Sequence, residues 1–134
     1  MRRRPVRGFT LIELLIVIVI LGLLLSLVAP TMFSKVGSAQ KKTAMAQMQM
    51  LSTALDTYRL DTGVFPSQLS DLRAASVPGW DGPYLPRDVP SDPWGNPYVY
   101  SLETDDPAKP YSLKSFGKDG REGGDADNED IIFQ

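Results

Sequence analysis

The sequence predicts an α+β protein: one long N-terminal helix packed on a small antiparallel sheet, with an acidic C-terminal loop. Three observations carry the prediction. Residues 9–29 are an apolar run of about 21 residues whose one charge is Glu13. Ala44, Met48, Leu51, Leu55 and Tyr58 then recur at the 4–3–4–3 spacing of a helical stripe. Last, YVYSL (98–102), YSLKSF (111–116) and DIIFQ (130–134) read as three short strands after a connector crowded with turn residues.

The chain has 134 residues, which allows one domain, and the part outside the apolar run is enough for one modest core. It holds no Cys and no His. Disulfide and thiol chemistry are therefore excluded, and the commonest general base is absent. Charges are segregated: Arg2, Arg3, Arg4 and Arg7 precede the apolar run, and acids dominate the C-terminal end. No basic face interleaved with aromatics follows, so a nucleic-acid partner is not expected.

Residues 1–8 form a basic leader that the positive-inside rule keeps in the cytoplasm, placing the C-terminal part across the membrane. Residues 9–29 as a helix span ~31 Å at ~1.5 Å per residue, which matches a hydrocarbon core. A secretory signal peptide is the alternative, but its apolar region is shorter and LVAPTM is a poor cleavage site. Pro30 lacks an N–H and is expected to kink the helix. Gly22 is a candidate for local melting or tight helix packing, and equally for no role.

Residues 30–62 continue the helix as an amphipathic half. Lys41, Lys42, Gln49, Thr53 and Asp56 form its polar face, and Gly63 is its C-cap. Met45, Met48 and Met50 read as core packing rather than a ligand groove. Residues 63–134 hold the connector, the sheet and the acidic loop. FPSQLSDLRAA fits one short helix with Ser67 as N-cap and Asp71 nearby. In WDGPYLPRDVPSDPWGNPY, Trp80, Tyr84 and Trp94 read as anchors pinning the loop to helix and sheet.

In GKDGREGGDADNEDI, the acids Asp119, Asp125, Asp127 and Asp130 and the amide Asn128 lie among glycines. Hard oxygen donors on a flexible loop suit calcium. The spacing is not that of an EF-hand, because Asp130 stands where the turn Gly belongs. From the residues alone, a solvated acidic tail and a metal site both stay open.

The basic leader ending in Gly8, followed by FTLIELLIVIVILGLL, resembles the start of type IV pilins and pseudopilins. GPYLPRDVPSDPWGNPYVY with SFGKDGREGGDADNEDI narrows this: the chain closely resembles the major pseudopilins of type II secretion systems. Adhesive type IV pilins usually close their C-terminal region with a disulfide, and this chain has no Cys. The resemblance implies a type IV pilin-like fold and a structural subunit rather than an enzyme. It implies cleavage by a prepilin peptidase between Gly8 and Phe9, then N-methylation of Phe9. It further implies a single-pass inner-membrane protein, cytoplasmic at its N-terminus. Such subunits polymerise into a helical homo-oligomer, the periplasmic pseudopilus, with minor pseudopilins and inner-membrane secretion components as partners. Calcium is implied in the C-terminal loop. Asp119, Asp127 and Asp130 match its acidic positions, the Leu113 and Ser115 carbonyls join them, and Asp125 and Asn128 are at positions where the family varies.

Within that reading Glu13 acquires a reason. Cleavage converts the Phe9 amide into an ammonium group in an apolar setting. In a staggered stack, Glu13 of another subunit can pair with it, and the pair fixes register because a buried charge is costly alone. Glu13 in the headgroup region, or paired with Phe9 of its own chain, is the alternative. Two other functions remain as alternatives: a type IV pilin or minor pseudopilin, and a membrane-anchored enzyme or sugar-binding protein. The last has no nucleophile motif to support it.

Overall fold

The computed structural model describes residues 5–133, so Arg2, Arg3 and Arg4 lie outside the described residues. Helix α1 runs Leu11–Thr62, strands β1, β2 and β3 are Val99–Ser101, Ser112–Ser115 and Ile131–Ile132, and two 3-10 turns are Leu69–Leu72 and Ala126–Asn128. Two compact units divide the chain, one ending at Val36 and the other beginning at Gly37.

The first unit is the apolar part of α1. Its helical assignment is unbroken through Gly22 and Pro30. Its best 18-residue window has a mean hydropathy of 3.1 and buries none of its residues. A helix this apolar on every face is satisfied in lipid or against other helices, not in water.

The second unit holds the core. Ala44, Met48, Leu51 and Leu55 are fully buried and Tyr58 is nearly so, as the stripe predicts. They pack with Leu69, Leu72, Leu85, Tyr98 and Leu113, which ties α1, the connector and the sheet into one cluster. Lys42, Gln49, Thr53 and Asp56 on the other face are exposed and Lys41 is half-buried. The helix stops at Gly63, whose φ of 83° is left-handed and whose N–H donates to Arg59 O at 2.8 Å.

The methionine expectation holds only for Met48. Met45 and Met50 are 42% and 41% exposed, because they flank the buried stripe instead of lying on it. Leu51→Ala is therefore expected to cost about 2–5 kcal/mol, and Met50→Ala much less. Urea unfolding of a 37–134 fragment, which carries the whole core, measures both.

The sheet is antiparallel in the order β1-β2-β3, with Tyr100 opposite Leu113 and Ser115 opposite Ile131. In β2, Leu113 and Ser115 point inward while Ser112 and Lys114 are half-buried. The connector departs from expectation at two points. Its short helix is a 3-10 turn whose N-cap position is Gln68, not Ser67. Ser67 instead donates to the Asp71 carboxylate at 3.2 Å, so its hydroxyl is used by a side chain. Trp80 and Tyr84 do pin the loop: Trp80 Nε1 donates to Asp71 O, and Tyr84 OH donates to Asp61 Oδ2 at the end of α1. Trp94 is half-buried, its indole N–H has no partner, and it lies outside the core cluster. Burial raises the hydroxyls of Tyr98 and Tyr100 above the usual tyrosine range, and each finds an acceptor, in Gln47 and Pro66.

Candidate functional site

Two places carry chemistry: the start of α1 and the acidic loop. At the first, Gly8, Phe9 and Thr10 precede the helix without regular structure, and Phe9 is 93% exposed. The Gly8–Phe9 peptide is thus accessible chain outside the helix, and the space beside Gly8 is open.

Thr10 and Glu13 form a reciprocal pair. Thr10 N donates to Glu13 Oε2 at 3.0 Å, and Glu13 N donates to Thr10 Oγ1 at 3.3 Å. This is a capping box, which satisfies two of the backbone donors that a helix start leaves unpaired. The negative side chain in the first turn also faces the positive end of the helix dipole. The sequence reading missed Thr10, although T-x-x-E is a capping-box signature. Among the described residues no basic side chain is paired with Glu13.

The acidic loop is built around the end of β2. Gly117 is buried in a left-handed conformation with φ 67°, and a Cβ there would meet Asp127 O and Glu129 O at 2.9 Å. Only Gly lets the two arms of the loop come this close. Lys118 N donates to Asp127 O at 2.9 Å, which closes the loop on itself. Two contacts then dock it on α1. Lys41 Nζ meets Glu129 Oε2 at 2.9 Å. The Asp127 carboxylate fills the space where Gly37, buried on α1, has no side chain.

The expected ligands are only partly gathered. Asp119 Oδ1 accepts from Arg121 N, closing a local turn. Asp130 Oδ2 accepts from Gly123 N at 2.9 Å, while its Oδ1 is buried with no partner. Leu113 O accepts from Phe133 N within the sheet, and Ser115 is fully buried. Asp125 precedes the second 3-10 turn and is exposed, and Asn128 is half-buried. Among the described residues no three acidic side chains converge closely enough to hold an ion as they stand. The donor set nevertheless suits a hard cation: carboxylates, carbonyls and one buried carboxylate oxygen left without a hydrogen bond.

A second network was not anticipated. Asp92 is only 4% exposed. Its Oδ1 accepts from Trp94 N and Asn96 N at 3.1 and 2.8 Å, and its Oδ2 accepts from Ser115 Oγ at 2.6 Å. The signal was present in D-P-W-G-N, where an Asp can bond its own backbone two residues on.

Known proteins match along the whole chain. A family model described as "Type II secretion system (T2SS), protein G" matches residues 31–134, and one described as "Prokaryotic N-terminal methylation motif" matches residues 3–29. The type II secretion system core protein G of Pseudomonas aeruginosa is 37% identical, over 98% of this chain and 96% of that protein. Its counterparts in Vibrio cholerae and Escherichia coli K12 are 35% and 36% identical, over 97% and 90% of this chain and 92% and 88% of theirs. The crystal structure of the major pseudopilin from the type 2 secretion system of enterohaemorrhagic Escherichia coli aligns with a TM-score of 0.52 at 24% identity, covering 71% of this chain and 86% of that one. That likeness speaks to fold: a long N-terminal helix on a small antiparallel sheet. With family model and full-length relatives in agreement, the chain belongs to the type II secretion system protein G family.

Proposed function

We propose that this protein is the structural subunit of a type II secretion pseudopilus, supporting export of folded proteins across the outer membrane. The observation that carries the reading is the near-complete match to core protein G relatives, from the N-terminal methylation motif through the C-terminal domain. A type IV pilin or minor pseudopilin accounts less well for the match over 31–134. The chain works by association rather than catalysis.

In this reading residues 1–8 are a cytoplasmic leader removed by a prepilin peptidase, and residues 9–29 anchor the subunit in the inner membrane. Residues 30–62 and 63–134 form the periplasmic part. Phe9 and Glu13 meet between subunits in the helical filament, which also engages minor pseudopilins and inner-membrane secretion components. The exposed Gly8–Phe9 peptide, lying before the helix, supports a cut there. The mature chain is expected to begin at N-methylated Phe9. Intact mass of the protein extracted from membranes of a host with prepilin peptidase measures this. A chain still starting at Met1, or cut near Ala29, overturns the processing step, and failure to restore secretion in a strain lacking core protein G overturns the function.

Calcium belongs to the same proposal. Asp119, Asp127 and Asp130 would hold it with the Leu113 and Ser115 carbonyls, and Asp125 and Asn128 are further donors. The unpartnered Asp130 Oδ1 supports this, since a buried carboxylate oxygen is costly without a donor or a cation. Bound there, the ion supplies charge neutralisation. The chain's own residues do the rest: Gly117 lets the arms approach, and Lys41 and Gly37 seat the loop on α1.

A further inference from the structure

We infer that the Asp92–Asn96 turn is a positioning clamp for the acidic loop, holding the backbone from which its donors project. The inference rests on the calcium reading of that loop.

The clamp acts on Gly117. Ser115 Oγ donates to Asp92 Oδ2 at 2.6 Å and accepts from Gly117 N at 3.2 Å. Asn96 Nδ2 donates to Gly117 O at 3.0 Å. Both backbone groups of Gly117 are therefore held from the turn, one through Ser115 and one directly. Asn96 also fills the space beside Gly120, where a Cβ would meet its Oδ1 at 3.0 Å. Asp119 lies between these two glycines, the first bonded by the turn and the second packed against Asn96. Lys118, next to Gly117, bonds Asp127 O and carries the constraint to the second arm.

The turn is itself stiff. Asp92 N donates to Asn96 O and Gly95 N to Asp92 O, at 2.8 and 2.9 Å. The Asp92 carboxylate takes three donors while nearly removed from water, and no basic side chain among the described residues is paired with it. A carboxylate is stable there only while those donors stay in place, so turn, strand end and loop start are fixed together. A flexible, net-acidic loop gains most from such support, because ordering its donors in advance lowers the entropy lost on binding. Outer partners of this kind orient ligands without touching the metal.

The test separates positioning from general stability. Asn96→Ala and Ser115→Ala each remove one hold on Gly117 and delete none of the proposed ligands, since the Ser115 carbonyl remains. Calcium affinity is measured by titration calorimetry on the full chain in detergent, beside melting curves in chelator. Each variant is expected to bind calcium about 10–100-fold more weakly. Ser115→Thr keeps the hydroxyl and is expected to restore binding. Variants that melt lower in chelator yet bind calcium as wild type does overturn the clamp alone. A wild-type chain that binds no calcium overturns the calcium reading, and the positioning role falls with it.

Discussion

Chelating calcium from the 37–134 fragment is expected to lower its melting temperature and expose residues 117–130 to protease. That stretch carries six acidic side chains, Asp119, Glu122, Asp125, Asp127, Glu129 and Asp130, against two basic ones, Lys118 and Arg121. Its net charge of minus four sits in a segment with little apolar burial to offset repulsion. Without an ion the stretch is held by Gly117 to Ser115 and Asn96, Lys118 to Asp127 O, Arg121 to Asp119, Gly123 to Asp130, and two ion pairs, Lys114–Glu122 and Lys41–Glu129. The last is exposed and adds about 0–1 kcal/mol. At calcium tenfold above the dissociation constant, binding adds about 1.4 kcal/mol to the folded state. For a domain of this size that is a shift of about 6–11 °C.

The response has a composition. Asp119→Ala and Asp127→Ala are each expected to abolish it, while Asp105→Ala, in the β1–β2 connection, leaves it intact. Magnesium is expected to substitute poorly, because its strict octahedron does not suit a loop that mixes carbonyls with carboxylates. Melts in calcium, magnesium and chelator decide the matter. Three superimposable wild-type curves mean that the loop is a solvated acidic tail.

What was legible in the sequence was periodic or terminal. The buried stripe from Ala44 to Tyr58 follows directly from 3.6-residue spacing, and Gly63 marks the helix end as a left-handed C-cap should. The three strands fall inside the runs that predicted them, trimmed at their ends. What was not legible depends on partners distant in sequence. Met45 and Met50 look like Met48 in composition, but only Met48 belongs to the buried core cluster. Asp92 reads as one turn residue among many, and its buried carboxylate is bonded by Ser115, 23 positions on. The seat of Asp127 on Gly37 joins two segments that no local pattern relates. Thr10 is different: its partner is three residues away, so the capping box was readable.

Glu13→Leu is expected to insert and fold normally yet to assemble no filaments. Insertion is helped, since a charge leaves an apolar segment. The core is untouched, because every core residue lies beyond Val36. The local cost is half of the capping box: Thr10 N loses its acceptor, about 0.5–1.5 kcal/mol at the helix start. Assembly suffers more. If the Phe9 ammonium is buried between subunits, leaving it without its carboxylate costs about 3–5 kcal/mol, or roughly two to four orders of magnitude in the subunit association constant. These two effects predict different outcomes for Glu13→Gln. Glutamine at the third helical position still accepts from Thr10 N, so the capping box survives. It carries no charge, so the pair with Phe9 does not. If Glu13 acts through charge between subunits, Glu13→Gln fails to form filaments as Glu13→Leu does, and secretion falls with it. If Glu13 acts by capping its own helix, Glu13→Gln assembles normally. Sheared-filament yield and secreted cargo, measured for both variants at equal membrane levels, distinguish the two, and full assembly by Glu13→Leu would remove Glu13 from the mechanism altogether.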